Sequence, residues 1–398
     1  DILVSGIQAD VELPYPVKYK FKGLSFIFGK NGGIDLVATY RKSNLKKLFN
    51  EIKSLPVEEY DLVINDFEPV SAWACKRKQK PCIGLSHQAA VINKRSPKPK
   101  KQDPVGKAVL NNYAPVTEAY GFHFGAYDKN IFTPVIRSQI RNSKPENKDH
   151  YTVYLPAYSD ERIMKVLGQV ENVQWQVFSK HTKKEYREKN FHIRPINNEQ
   201  FIESFINCTG VLCGAGFETP AEALFLKKKL LVIPMKGQYE QQCNAAALKT
   251  MSVPVIKSLK KKHLDKIREW VNTPQVITVN YPDTTRRIIN MIIKNHGTAT
   301  DQQRIEPGNG IYSVKKLKGN LRPIEVLETR LNKLSEVKEI DYLFSFSEET
   351  PIQLIQKIKP TILVKGGDYL PENIVGKEFV QQVVIIPLLD GFSTTKII

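Results

Sequence analysis

Val211-Leu212-Cys213-Gly214-Ala215-Gly216-Phe217-Glu218-Thr219-Pro220-Ala221-Glu222-Ala223-Leu224 is the stretch whose reading decides the fold. Its apolar approach, entered through Thr209-Gly210, predicts a buried strand. A Gly-Ala-Gly turn follows, and Thr219 with Pro220 then opens an apolar-periodic helix that carries Glu222. Strand, glycine turn and helix in that order let a ligand approach the backbone, and the free N–H groups and positive end of the helix favour a phosphate. An ordinary tight strand-to-helix turn reads the same residues equally well, so the surrounding segments must decide.

Outward from that stretch, residues 229–234 read as a strand ending at Met235-Lys236-Gly237. Before it come strands at 151–156, 175–179 and 191–195, a loop at 157–160 and helices at 161–167 and 201–207. The front of the chain alternates in the same way. A strand end at 1–6 and a candidate strand at 23–28 with a Gly32-Gly33 turn precede a helix at 45–55. A strand at 60–65 then runs into Asp66-Phe67-Glu68-Pro69, and after a helix at 70–77 a strand at 81–85 ends at Ser86-His87-Gln88. Such alternation predicts parallel, doubly wound sheets, whose ligands gather at the carboxyl ends of strands, where Asp66, Glu68 and His87 fall. Lys94-Arg95-Ser96-Pro97-Lys98-Pro99-Lys100-Lys101 is a basic loop, residues 105–120 read as a helix despite Pro115, the polar run 142–149 marks a domain boundary, and 284–295 supplies an amphipathic closing helix.

At 398 residues the chain is long enough for two or three domains. Its 41% hydrophobic and 25% charged residues are ordinary for a globular protein, and no run approaches the roughly 20 apolar residues of a membrane span. Cys75, Cys82, Cys208, Cys213 and Cys243 lack the paired spacing of a metal site and read as reduced core thiols of a cytosolic protein. The net charge of +18 is uneven: residues 1–308 hold 47 Lys and Arg against 30 Asp and Glu, whereas 309–398 hold 12 against 11. A basic front suits phosphorylated small molecules or an anionic membrane face, and no aromatic-interleaved basic motif points to nucleic acid. Asp1-Ile2-Leu3-Val4-Ser5-Gly6 starts without methionine and with a strand under way, as in a fragment whose beginning is missing.

Gly214-x-Gly216 with Glu222, followed by Pro234 and by Glu240-Gln241-x-x-Asn244-Ala245, resembles the donor domain of GT-B glycosyltransferases. Within them it is most similar to the family that holds the GlcNAc transferase of peptidoglycan lipid II synthesis. The likeness covers residues 1–297 in organisation and 151–250 in motif detail. It implies an α/β fold of two Rossmann-like parallel-sheet domains facing a cleft, with 1–149 on the acceptor side and 150–297 on the donor side. In the implied donor site Gly214, Ala215, Gly216 and Thr219 face the diphosphate, and Glu222 faces the ribose. Gln241 and Asn244 lie near the sugar and diphosphate, and Ser159 approaches the phosphates from its own loop. Such enzymes work without a bound metal or further cofactor; the implied donor is a UDP-linked sugar and the acceptor a glycan or lipid-linked sugar. The family's glycine-rich loop and histidine after the first strand have no counterpart here, which leaves His87 and Asp66 as the candidates for catalytic base.

From Asn309 a second resemblance begins. Ser313-Val314-Lys315-Lys316-Leu317-Lys318-Gly319-x-x-Arg322-Pro323, Arg330, Val364-Lys365-Gly366-Gly367-Asp368-Tyr369 and Gly391-Phe392-Ser393-Thr394-Thr395-Lys396 look like the nucleotidyltransferase domain of ADP-heptose synthase. That likeness implies a partial, cytidylyltransferase-like Rossmann domain over 313–398, joined through 298–312. In it Ser393, Thr394 and Thr395 open a phosphate-facing helix, and Lys365, Gly366, Gly367, Asp368 and Tyr369 follow a strand. Lys315, Lys318 and Arg322 belong to the same implied site, and an intact version uses Mg-ATP. The family's His-x-x-His element does not occur in the chain, so the tail alone is expected to lack adenylyltransferase activity.

The expected whole is a cytoplasmic hexosyltransferase, peripheral to the inner face of the plasma membrane. Its rivals are a UDP-sugar 2-epimerase, which uses the same two-domain fold, a sugar-phosphate nucleotidyltransferase, and a nucleotide-sugar binder without turnover.

Overall fold

The computed structural model describes residues 1–6, 13, 15–24, 44–101, 103–297, 311–315, 331, 332, 334, 335, 340, 342–346, 348, 350–366 and 370–386. They fall in two compact units, Asp1–Gln302 and Gln303–Ile398.

The first unit opens with β1 (Ile2–Ser5) and β2 (Val17–Phe21), paired in parallel, followed by α1 (Leu45–Ser54). A four-stranded parallel sheet comes next, in the order β3 (Ile64–Asn65), β4 (Ile83–Ser86), β5 (Glu118–Phe122) and β6 (Ile131–Phe132). Between its strands run α2 (Pro69–Arg77), α3 (His87–Ile92) and α4 (Pro104–Asn112). The helix expected over 105–120 therefore ends early. Pro115 has no N–H to continue the helical ladder, and Glu118 to Gly121 instead pair in register with Ile83 to Ser86. Of the strand expected over 23–28, only Gly23 and Leu24 are described, and neither is in a strand.

Helix α3 lies directly on β5. A Cβ built on Gly121 would stand 2.5 Å from Ala90 N and 2.8 Å from Ala90 Cβ, so this glycine is what allows the approach. Gly121→Ala is expected to destabilise the unit by about 1–3 kcal/mol through overpacking. Urea unfolding reads the effect, and an unchanged midpoint would show that α3 is free to move off the sheet.

A short α5 (Ser138–Arg141) leads into the second sheet. This holds β7 (Tyr151–Tyr154), β8 (Trp175–Ser179), β9 (Tyr186–Glu188), β10 (Phe191–Pro195), β11 (Gly210–Gly214) and β12 (Lys229–Ile233), in the spatial order β12-β11-β7-β8-β10-β9. All neighbours are parallel except β9, which runs antiparallel at the edge. Interleaved are α6 (Asp160–Leu167), α7 (Asn198–Asn207), α8 (Glu218–Phe225) and α9 (Tyr239–Thr250), followed by α10 (Leu264–Asn272).

Alternate residues of the central strands feed two separate cores, as a sheet covered on both faces requires. Leu212, Leu231, Ile233, Val153 and Trp175 pack with α6 and α10 through Ile163, Leu167, Ile267 and Trp270. On the other face Val211, Cys213, Leu230 and Val232 meet Phe205 of α7, Leu224 of α8 and Leu248 of α9. Each fully buried large side chain contributes roughly 1.5–3 kcal/mol by leaving water. All five cysteines are buried and free. Finally α11 (Thr285–His296) returns to the first sheet, setting Ile288 and Ile292 against Ile83 and Tyr120.

In the second unit β13 (Ile311–Lys315) pairs in parallel with β14 (Tyr342–Phe346). After α12 (Ile352–Ile358), β15 (Ile362–Gly366) likewise pairs with β16 (Gln382–Ile386). Lys315, Lys365 and Gly366 therefore lie on strands. Lys318, Arg322, Gly367, Asp368, Tyr369, Ser393, Thr394 and Thr395 lie outside the described residues. Among the described residues no helix is long and apolar enough to cross a membrane.

Candidate functional site

The carboxyl ends of the two large sheets meet in the first unit, and the turn after β3 shows how the half that carries the first sheet shapes this region. The Glu68 carboxylate caps α2, accepting from Val70 N and Ser71 N, both at 2.7 Å, and from Ser5 Oγ at 2.6 Å. Asn65 Nδ2 donates to Glu68 O at 2.7 Å and to Ser71 Oγ at 2.9 Å. Locked between them, Phe67 takes a left-handed φ of 53°, a strain of about 1–3 kcal/mol for a bulky side chain. Glu68 is thus a structural cap, whereas Asp66 keeps an open side to solvent. The protein mass around its carboxyl, and next the Glu218 carboxylate, raise the Asp66 pKa above the ordinary value.

His87, the first residue of α3, is committed at both ring nitrogens. Nδ1 lies 2.8 Å from Phe122 O and Nε2 lies 2.9 Å from Asn244 Oδ1. The ring stacks on Phe217 with centroids 3.9 Å apart, and His123 meets it edge-on with centroids 5.2 Å apart. Burial pulls the His87 imidazole below its ordinary pKa, against the Glu240 carboxylate and the two hydrogen bonds. His123 is pushed down to about 3, first by burial and then by His87 and Lys98. Beside them Gln88 Nε2 donates to Glu240 Oε2 at 3.1 Å.

On the half that carries the second sheet, the turn after β11 lies where the sequence places it, with α8 beginning one residue earlier, at Glu218. No side chain caps its start; Pro220 has no N–H and Ala221 N donates to Phe217 O at 3.1 Å, which leaves the N–H groups of Glu218 and Thr219 without an intrahelical partner. A Cβ on Gly216 would meet nothing within 4 Å, which leaves room beside the turn. Ala215 is buried and its carbonyl accepts from Asn244 Nδ2 at 3.2 Å.

Several expected donor contacts are taken up by the protein itself. Both Glu222 oxygens are held at 2.7 Å by Arg137 Nε and Nη2, and Glu222 is only 2% exposed. Gln241 Oε1 accepts from Met235 N at 2.9 Å, and its Nε2 donates to Gln238 Oε1 at 2.7 Å, which closes the loop before α9. Ser159 Oγ caps α6 by accepting from Arg162 N at 3.4 Å.

Sequence reasoning quoted Phe217, Glu218 and Glu240 within its motifs and Gln88 beside His87 without giving them a role, and it did not single out Arg137. Arg137 sits alone in the connection between the sheets, and nothing local marks it.

Comparison with known proteins bears on both parts of the chain. The family model described as glycosyl transferase family 1 matches residues 31–273. Among solved structures, Acinetobacter baumannii MurG aligns with a TM-score of 0.43 at 13% identity, over 70% of this chain and 86% of that one. The glycotransferase of kitacinnamycin aligns with a TM-score of 0.41 at 12% identity, over 64% and 79%. Bifunctional protein HldE of Helicobacter hepaticus is 48% identical over 86 residues, 22% of this chain and 18% of that protein. The HldE protein of Koribacter versatilis is 34% identical over 165 residues, 38% of this chain and 33% of that protein. The chain thus spans well under half the length of these curated relatives.

Proposed function

The chain belongs to glycosyl transferase family 1, and from that premise we propose that it moves a hexosyl group from a UDP-linked sugar to a glycan or lipid-linked acceptor. The observation that carries this reading is the meeting of the uncapped start of α8 with Asp66 and His87 at the carboxyl ends of the two sheets. The diphosphate sits against the free N–H groups of that helix start and beside Gly216, where the positive helix end offsets its charge. Asp66 takes the proton of the acceptor hydroxyl. As the acceptor oxygen bonds to the sugar carbon, the bond to the diphosphate breaks and its electron pair leaves with the phosphate. His87 does not serve as the base, because each of its ring nitrogens already faces an oxygen of the protein.

The acceptor side also supports contact with the inner face of the plasma membrane. Trp73 is 37% exposed, with Lys76 Nζ 4.7 Å from its ring centroid, and Val105 on α4 is 51% exposed. Trp73 Nε1 donates to Tyr113 O, at the end of α4, and the basic run 94–101 precedes that helix.

Incubation of the full chain with radiolabelled UDP-hexoses and a membrane extract tests the reading. Label is expected to move into a lipid-extractable or glycan product, and only when acceptor is present. Release of an epimerised nucleotide sugar without acceptor would replace it with the epimerase reading. The HldE likeness of the tail is tested by pyrophosphate release from ATP with a sugar phosphate, and none is expected, because the chain holds no His-x-x-His element.

A further inference from the structure

His87 is placed where a neutral imidazole leaves a conflict. Phe122 O can only accept, so the 2.8 Å contact requires a proton on Nδ1. Asn244 Nδ2 faces Ala215 O at 3.2 Å, another pure acceptor, which fixes the amide and turns Oδ1 toward His87 Nε2 at 2.9 Å. The second contact therefore requires a proton on Nε2. Only the imidazolium satisfies both. A neutral ring points a lone pair at an oxygen on one side or the other, and one of the two bonds must open. These bonds form a continuous line from β5 through His87 and Asn244 to the 214–219 turn, with Phe217 of that turn stacked on the ring, centroids 3.9 Å apart.

The charges facing the ring come from several elements. Glu240 Oε1 of α9 lies 4.0 Å from Nε2 and is itself held by Gln88 of α3. Glu218, at the start of α8, adds a second negative field, and His123 after β5 stays neutral and brings no opposing charge. Against these stands burial, which disfavours the cation in the free protein. A diphosphate at the α8 start would place further negative charge next to Phe217 and tip that balance.

We propose that His87 is a positioning residue that locks the two halves together as an imidazolium, and that binding of a nucleoside diphosphate at the 214–219 turn drives uptake of one proton from solvent onto its ring. The proton adds to the ring lone pair, no other bond is made or broken, and Glu240 is the counter-ion. The consequence is mechanical. Protonation lets both ring bonds hold at once, which fixes Asn244 and, through it, Ala215 behind the turn. This inference rests on the donor-site reading above, and its test separates the two.

Titration calorimetry of UDP, with GDP and dTDP in parallel, into the full chain at neutral pH in two buffers of different ionisation enthalpy counts the protons exchanged. Wild type is expected to take up more than His87→Gln, by up to about one proton per nucleotide. Glu240→Gln, which leaves the ring in place, is expected to reduce the uptake. Ring-nitrogen correlation spectra of wild type should show both His87 nitrogens protonated in the UDP complex, a readout that does not depend on either variant folding. UDP binding with the same proton count in wild type and His87→Gln, or a neutral His87 in the complex, would overturn the inference and leave the donor site standing. Failure of all three nucleotides to bind would remove the donor-site reading and this inference with it.

Discussion

Arg137→Ala is expected to cost the first unit stability toward the lower end of about 3–5 kcal/mol, the range for breaking a buried ion pair from one side. Glu222 is 2% exposed and both its oxygens are held at 2.7 Å by one guanidinium. Without Arg137 the carboxylate stays among apolar neighbours with its charge uncompensated. The Arg137 side chain is 42% exposed, so water can follow it into the gap, which is why the lower end of the range applies. The pair ties the connection between the two sheets to α8, and its loss should loosen the turn at 214–219 as well. Arg137→Met combined with Glu222→Leu should recover most of the loss, because an apolar pair of similar volume removes the stranded charge. Urea unfolding of the three variants reads this. A single variant within about 0.5 kcal/mol of wild type would place Glu222 in the class of ordinary surface carboxylates.

The same pair shows where sequence reading stops. Short apolar runs identified β7, β8, β10, β11 and β12, because strands buried on both faces have little freedom in composition. The Gly214-Ala215-Gly216 turn was legible for the same reason, as was the switch to helical spacing after it. Strand β5 was not. Glu118-Ala119-Tyr120-Gly121 looks helical in isolation, and only its pairing with β4 decides otherwise. Of the candidate site, the residue types could be read but not their partners. Glu222 as a free ribose ligand and Glu222 as the mate of an arginine 85 positions earlier have identical local sequence. His87 and Asn244 were both chosen, yet nothing local says that residues 157 positions apart touch. Spacing within a motif is a local property, whereas the charge state of a site is set by groups that only the fold assembles.

Asp66→Asn is expected to lower kcat/KM for sugar transfer by about 10²–10⁴-fold, the usual contribution of a positioned base. The backbone supplies the reason for choosing this residue. Phe67 at φ 53° would relax if the turn were free, but Asn65, Glu68 and Ser71 hold it, and the held turn presents Asp66 on the open side. The pH profile adds an independent check. A base works when ionised, so activity rises as pH climbs through the Asp66 pKa. Burial and the Glu218 carboxylate raise that pKa, which moves the acid limb of the profile upward from the ordinary carboxylate position. Glu218→Gln removes the like charge, favours the ionised form of Asp66, and should move the limb back to lower pH. UDP affinity should change little in Asp66→Asn, since the carboxylate acts on the acceptor and not on the diphosphate. If Asp66→Asn retains activity within tenfold of wild type, the proton leaves by another route, and the strained turn at Phe67 must be explained by acceptor binding instead.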